Sequence, residues 1–329
     1  MSRRSPKLPW MSNTDGGPDQ HLRMTVLELV HTAARKLQSA DVSFGHGTSN
    51  ALDEAAWLVL WKLGLPLDCN LDSPDSPGQS IVTAQQHAAV ETLVCTRIQS
   101  RLPTAYLTRE AWVQGLSFYA DERAIVPRSL IAELLTGDGL DYWLPAAPLR
   151  VLDLCTGGGS LAVLAAMAWS GAAVDAADVS EPALEVAAIN IDRHALGQRV
   201  RLLQGDGLAA ASGRYDLILC NPPYVNAASM AALPPEYQAE PGLALAGGAD
   251  GMDFVRHLVN GALDYMELHA ILVLEIGNER ANFESAFAGL ETIWLETSAG
   301  DAQVCLLTRA ALGVYLESNA GDHLHFSTP

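Results

Sequence analysis

The residues with the clearest chemistry are Asn221-Pro222-Pro223-Tyr224, which directly follow the apolar run Tyr215–Cys220. Two prolines remove two backbone donors and stiffen the turn. Two acceptors are left at one point, the Asn221 side-chain carbonyl and the Pro222 backbone carbonyl. Such a pair suits a planar NH₂ group, either a side-chain amide or the exocyclic amine of a base. It also stabilises positive charge building on that nitrogen as it attacks an electrophile. Tyr224 can stack on the planar group. Asn221, Pro222 and Tyr224 are therefore candidate catalytic residues, and Asn221, Pro222, Pro223 and Tyr224 candidate substrate contacts.

A second constellation lies upstream, in Asp153-Leu154-Cys155-Thr156-Gly157-Gly158-Gly159-Ser160. Its glycines let the backbone turn sharply and let a ligand touch the main chain. The Lys-Ser/Thr of a triphosphate-binding loop is missing, and Ala162 stands where a strict dinucleotide fingerprint has glycine. Asp178 ends the next apolar run and can hold both hydroxyls of a ribose. Asp206, in Gly205-Asp206-Gly207, ends the run after that and can accept from an adenine amino group. Together the three strand ends outline an adenosine pocket.

Metal chemistry is not expected. The five cysteines (Cys69, Cys95, Cys155, Cys220, Cys305) form no C-x-x-C pair, and the nine histidines form no H-E-x-x-H pattern. Unpaired, scattered cysteines fit a reducing compartment. No run reaches the roughly 18 apolar residues of a membrane span, and no secretory signal is evident, so a cytoplasmic location is expected.

The elements that must position these groups follow from periodicity. Residues 1–20 are rich in Ser, Pro, Gly and Asp and read as a disordered tail. Apolar residues then recur at helical spacing in three stretches: Val26, Val30, Ala33, Leu37; Leu52, Ala55, Ala56, Val59, Leu63; and Val90, Leu93, Val94, Ile98. Residues 21–110 thus form a helical domain without a cofactor motif, assigned to substrate docking. The β-formers Trp112, Phe118, Tyr119, Ile125 and Val126 suggest a β-hairpin linker over 111–126. From Leu149, short strands alternate with helices, which implies an α/β parallel sheet covered on both faces. Thr292–Leu295 and Gln303–Leu307, joined by Ser298-Ala299-Gly300-Asp301, are expected to close it as an antiparallel pair. The domain is taken as 127–311, followed by a C-terminal tail at 312–329.

Charge constrains the partner. The 329 residues carry a net charge of −18. Residues 1–40 hold six basic and three acidic groups, which leaves −21 on the remainder. Phosphate binding needs a basic surface, so direct nucleic-acid binding is not expected. A basic protein partner is better matched.

The Asn-Pro-Pro-Tyr motif, glycine loop and two strand-end aspartates resemble class I S-adenosylmethionine-dependent methyltransferases that act on planar nitrogen. The flanks narrow this. Leu233-Pro234-Pro235-Glu236-Tyr237, Glu240-Pro241-Gly242-Leu243-Ala244-Leu245, Gly247-Gly248-Ala249-Asp250-Gly251, Pro103-Thr104-Ala105-Tyr106-Leu107 and Val126-Pro127-Arg128-Ser129 resemble the glutamine N5-methyltransferases of the HemK/PrmC/PrmB group. Within it, Pro127-Arg128-Ser129-Leu130-Ile131-Ala132-Glu133 is closer to the branch acting on large-subunit ribosomal protein L-three than to the release-factor branch.

The resemblance implies a Rossmann-like seven-stranded sheet with an antiparallel last strand, and S-adenosyl-L-methionine as cofactor with S-adenosyl-L-homocysteine as product. Its implied cofactor set is Asp153, Thr156, Gly157, Gly159, Asp178, Asp206 and Asn221, with Asp153 and the glycine loop at the methionine end. The implied partner is a basic ribosomal protein, free or in an assembling large subunit. A release-factor methyltransferase and an adenine-N6 or guanine-N2 nucleic-acid methyltransferase are the alternatives. A non-enzymatic module is disfavoured because the glycine loop and Asn221 are both intact. Three residues depart from the group's usual pattern: Arg109 and Ala270 stand where glycine is usual, and Val113 where an aromatic is usual.

Overall fold

The computed structural model describes residues 24–137 and 139–319. The expected tail at 1–20 lies outside the described residues. Three long helices come first, α1 (Val26–Ser39), α2 (Ala51–Leu63) and α3 (Ala84–Ser100), followed by the short α4 (Thr104–Thr108). Their starts are written in the sequence. Thr25 with Glu28 and Thr83 with Gln86 form reciprocal capping boxes, and the Asn50 side chain accepts from the amides of Leu52 and Asp53. Leu29, Val30, Ala33 and Leu37 of α1 pack on Ala55, Leu58 and Val59 of α2 and on Val90 and Val94 of α3. Leu52 does not join them. It sits in the first turn of α2 and is 45% exposed.

The hairpin is shorter than 111–126. β1 (Ala111–Val113) and β2 (Leu116–Phe118) pair across Gln114-Gly115, both with positive φ. That is the geometry a two-residue hairpin turn demands. Tyr119–Val126 leaves the ladder because its backbone is held elsewhere. Asn190 accepts from the Tyr119 amide and donates to the carbonyls of Tyr119 and Gly158, and the Tyr106 hydroxyl donates to the Ala124 carbonyl. Ile125 and Val126 are apolar because they form walls, not because they pair. Arg109, in place of a glycine, ends α4 with φ of 56°, a left-handed conformation that disfavours a side chain. Its guanidinium reaches Glu122 at 2.8 Å and Asp121 at 3.6 Å.

After α5 (Ile131–Thr136) come β3 (Arg150–Leu154), α6 (Ser160–Ala168), β4 (Ala173–Asp178), α7 (Glu181–Arg193), β5 (Val200–Gln204) and β6 (Tyr215–Cys220). An insertion with α8 (Ala227–Ala231) and α9 (Pro235–Gln238) leads to α10 (Asp253–Gly261). β7 (Met266–Glu275), α11 (Arg280–Ala286), β8 (Ile293–Thr297), β9 (Gly300–Thr308) and α12 (Arg309–Asn319) complete the fold. The seven strands are ordered β5-β4-β3-β6-β7-β9-β8, with β9 antiparallel to both β7 and β8. Alternate residues feed two cores. Val151, Leu217, Leu219 and Val273 face α5 and α6, whereas Leu152, Leu154, Ile218 and Leu274 face α10, α11 and α12.

A C-terminal tail beginning at 312 is corrected by α12. Leu312 is fully buried, and the helix packs on β7 and β9. No described helix is long and apolar enough to cross a membrane.

The helical elements join the sheet through buried charge. Glu240, 4% exposed, accepts from the Val126 amide at 2.8 Å and from both Arg128 guanidinium nitrogens at 2.6 and 2.7 Å. His46 Nε2 lies 3.2 Å from the same carboxylate, in contact but not aligned as a hydrogen bond. Glu236 meets Arg97 and Arg101 of α3 and its C-cap at 3.4 and 3.1 Å, and Arg97 also holds Glu54 at 2.7 Å. Burial pushes the Glu240 carboxyl up, but the Arg128 charge, the His46 imidazole and the Arg128 hydrogen bonds outweigh it and bring it down to about 2.

Because the folded value lies below the ordinary 4.5, this carboxylate contributes stability that is complete above that value. The contribution is lost as pH falls from about 4.5 towards 2. Glu240→Gln is expected to cost about 3 kcal/mol at pH 7, leaving the half-buried Arg128 underpaired. Urea denaturation across pH should show the gap between variant and parent closing below pH 4.5. A constant gap would remove Glu240 from the acid response.

Candidate active site

The sheet order reverses at β3, whose neighbours are β4 on one side and β6 on the other. Crevices form at the carboxyl ends of strands at such a point. A cavity opens there, walled by Cys155 and Gly157 after β3, Asp178, Val179 and Ser180 after β4, Asp206 and Gly207 after β5, and Asn221 and Pro223 after β6. Ile125, Leu243 and Phe254 supply apolar wall from outside the sheet.

Asp178 anchors the loop. One carboxylate oxygen accepts from the Gly157 amide at 2.9 Å, the other from the Ser180 amide at 2.9 Å. Each oxygen keeps a lone pair for a further donor. Val179 and Leu243 are 49% and 64% exposed, large apolar surfaces in the cavity wall that a planar base would cover. Acceptors for hydroxyls and an amine, set among apolar walls, fit an adenosine. Among the described residues no group of three or more His, Cys, Asp or Glu could hold a metal ion.

Five of the residues singled out from the sequence meet at this cavity: Gly157, Asp178, Asp206, Asn221 and Pro223. Five others do not line it, each for a physical reason. Asp153 is fully buried on the α6 side of β3, where its Oδ2 accepts from the Thr156 hydroxyl at 2.6 Å and the Ala162 amide at 3.0 Å. Burial raises its carboxyl to about 7, against these two hydrogen bonds. Asp153 and Thr156 thus tie the glycine loop to α6 rather than face a ligand. Gly159 serves packing: a Cβ there would lie 3.0 Å from the Ala187 Cβ, and its φ is +80°. Pro222 is buried beneath the turn.

Tyr224 turns to Glu275 at the end of β7, its hydroxyl donating to Oε1 at 3.4 Å, while the other carboxylate oxygen, Oε2, accepts from the Ser129 hydroxyl and the Leu130 amide. Burial and the Glu275 charge push the Tyr224 phenol far up, so it stays a neutral donor. The ring is clasped tightly. A Cβ on Gly277 would fall 2.5 Å from it, and one on Gly251 2.2 Å from the Tyr224 carbonyl oxygen. That close approach explains Gly247 and Gly251, whereas a Cβ on Gly248 would run into the Asp253 carboxylate.

The walls missed in the sequence are Cys155, Ile125, Leu243 and Phe254. Cys155 has a positive φ of 57°, which no sequence signal announces. The other three reach the cavity through long-range packing of loops.

A seven-stranded sheet with this order, a glycine loop after its first strand and acidic residues at the next two strand ends define a class I S-adenosylmethionine-dependent methyltransferase. Residues 141–233 match the methyltransferase small domain family. The ribosomal protein uL3 glutamine methyltransferase of Burkholderia pseudomallei is 50% identical over 301 residues, covering 88% of this chain and 95% of that protein. The protein of the same name from Bordetella pertussis is 50% identical over 296 residues, covering 88% and 96%. That from Neisseria meningitidis serogroup A is 44% identical over 290 residues, covering 88% and 94%. The chain belongs to the ribosomal protein uL3 glutamine methyltransferase family. Its cofactor is S-adenosylmethionine.

Two variants separate cofactor binding from positioning. Asp178→Ala should weaken S-adenosylmethionine binding by ~1.5–3 kcal/mol, the worth of hydrogen bonds to a charged group, as read by calorimetry. Gly277→Ala should leave that affinity within about twofold while lowering kcat by ~10²-fold, because the added methyl displaces Tyr224 beside the acceptor turn. Unchanged affinity in the first, or normal turnover in the second, would contradict the assignment.

Proposed function

We propose that this protein transfers the methyl group of S-adenosylmethionine to the side-chain amide nitrogen, N5, of a glutamine in ribosomal protein uL3. The observation that carries the reading is Asn221. Its side chain lines the cofactor cavity and makes no hydrogen bond to any other described residue, so its carbonyl is free for an incoming NH₂. The names of the relatives point to uL3.

The bound cofactor supplies an electrophilic methyl on a sulfonium. The chain's own part is positioning. Asn221 Oδ1 and the Pro222 carbonyl accept the two amide hydrogens and aim the nitrogen, while Tyr224, held on Glu275, braces the acceptor turn. Positive charge builds on nitrogen as the N–C bond forms, and the two acceptors stabilise it. The proton leaves after attack, when the nitrogen is acidic enough to lose it to water, so no side-chain base is needed. Most of the acceleration then comes from orientation and fixed dipoles. The helical domain, α1–α4, docks the protein substrate, and the −18 charge suits a basic ribosomal protein.

Purified uL3 incubated with labelled cofactor tests this. Label should appear on a glutamine of uL3 and survive RNase. Asn221→Ala should lower kcat by ~10²–10³, as loss of one oxyanion-hole donor does with charges reversed, while cofactor affinity barely changes. Asn221→Asp keeps an acceptor and should retain more activity than the alanine variant. Label in RNase-sensitive material would favour an exocyclic base amine as the acceptor.

A further inference from the structure

A second, larger concavity of about 900 Å³ lies between the helical domain and the hairpin. Three tryptophans line it, Trp57 and Trp61 of α2 and Trp112 of β1, together with His46, Asp68 and Glu110. Trp112 is 47% exposed, because the strand register buries Ala111 and Val113 and turns the residue between them outward. The indole Nε1 of Trp57 is shielded from solvent and has no hydrogen-bond partner among the described residues. His46 is 3% exposed, and neither ring nitrogen makes an aligned hydrogen bond.

The groove and the cofactor cavity share one partition. Ile125 lines the cavity and Val126, the next residue, lines the groove. Arg128 and Glu240 lock that partition from behind. A polypeptide lying in the groove is therefore held at the wall of the methyl-transfer site.

The lining chemistry selects the occupant. Tryptophan faces are the best aromatic partners for ammonium and guanidinium groups. Trp61 already carries one such contact, with the Lys62 ammonium 5.9 Å from its ring centroid. Among the described residues no Lys or Arg lines the groove, while Asp68 and Glu110 do. An uncharged apolar segment would desolvate those carboxylates without return. A Lys- or Arg-bearing segment satisfies both carboxylates and rings, and it matches the −21 charge of residues 41–329.

We propose that this tryptophan-lined acidic groove is the docking site for a Lys/Arg-bearing segment of the protein substrate. The proposal rests on the glutamine-methyltransferase reading and adds to it the element that captures substrate.

The test uses the full chain, purified uL3 and two variants, Trp61→Ala and the double variant Asp68→Asn/Glu110→Gln. Each should raise KM for uL3 by about 5- to 30-fold, the range expected for losing a partly desolvated cation–π or charge contact, with kcat kept within about twofold. Calorimetry with S-adenosylmethionine should give the parent affinity, which shows that the variants are folded. KM for the parent should rise with salt more steeply than KM for the neutralised variant. In parallel, tryptophan fluorescence is titrated with a short Arg-rich peptide, a readout independent of catalysis. Saturable quenching in the parent that both variants weaken supports the groove. Parent-like KM values, or peptide binding that neither variant alters, overturn it. If the parent fails to methylate uL3 at all, the functional reading fails, and the peptide titration still decides the groove separately.

Discussion

The structure depends on one buried carboxylate. Glu240 sits where three parts of the chain meet: the helical domain through His46, the exit of the hairpin through the Val126 amide and Arg128, and the insertion after the Asn-Pro-Pro-Tyr turn, to which it belongs. Burial of a single charge is costly, and here three partners share the compensation. One residue later the same segment begins the cavity wall, with Pro241, Leu243 and Ala244, and two residues before Arg128 lies the partition between cavity and groove. Moving Glu240 would thus shift both sites together. Glu236, held by Arg97 and Arg101, fixes the segment's other end against α3.

On this frame the methyl-transfer site needs little chemistry of its own. The acceptor turn is rigid because two prolines follow Asn221, and Tyr224 is held by Gly251, Gly277 and Glu275. The phenol nearest the turn is pushed away from ionisation, so it cannot serve as a base near neutral pH. A weakly basic amide nitrogen is best helped by geometry and by acceptors for its developing charge. The polar cluster of Ser129, Glu275 and Tyr224 provides that geometry at the end of β7, beside the central strand β6.

What could be read from the sequence was what strand ends dictate. In a parallel sheet, motif residues after successive strands arrive at one edge, so Asp178, Asp206 and Asn221 were legible before any coordinates. Side-chain parity was not. Asp153 is on the face of β3 that meets α6, so the residue that looks like a cofactor ligand braces the loop instead. Ile125 and Val126 look like strand residues by type, but Asn190 and the Tyr106 hydroxyl hold their surroundings out of the ladder. α12 buries only Ala311 and Leu312, and it is ordered by the surface of β7 and β9, which exists only after the sheet forms. The tryptophan groove combines residues from four separate segments, none of which carries a motif alone.

The central claim is that two carbonyls converge on the substrate amide. A crystal structure with S-adenosylhomocysteine and a glutamine-bearing fragment of uL3 measures it directly. The account predicts the glutamine amide nitrogen within about 3 Å of both Asn221 Oδ1 and the Pro222 carbonyl oxygen. An amide nitrogen bound to a carboxylate, or touching neither carbonyl, would contradict it.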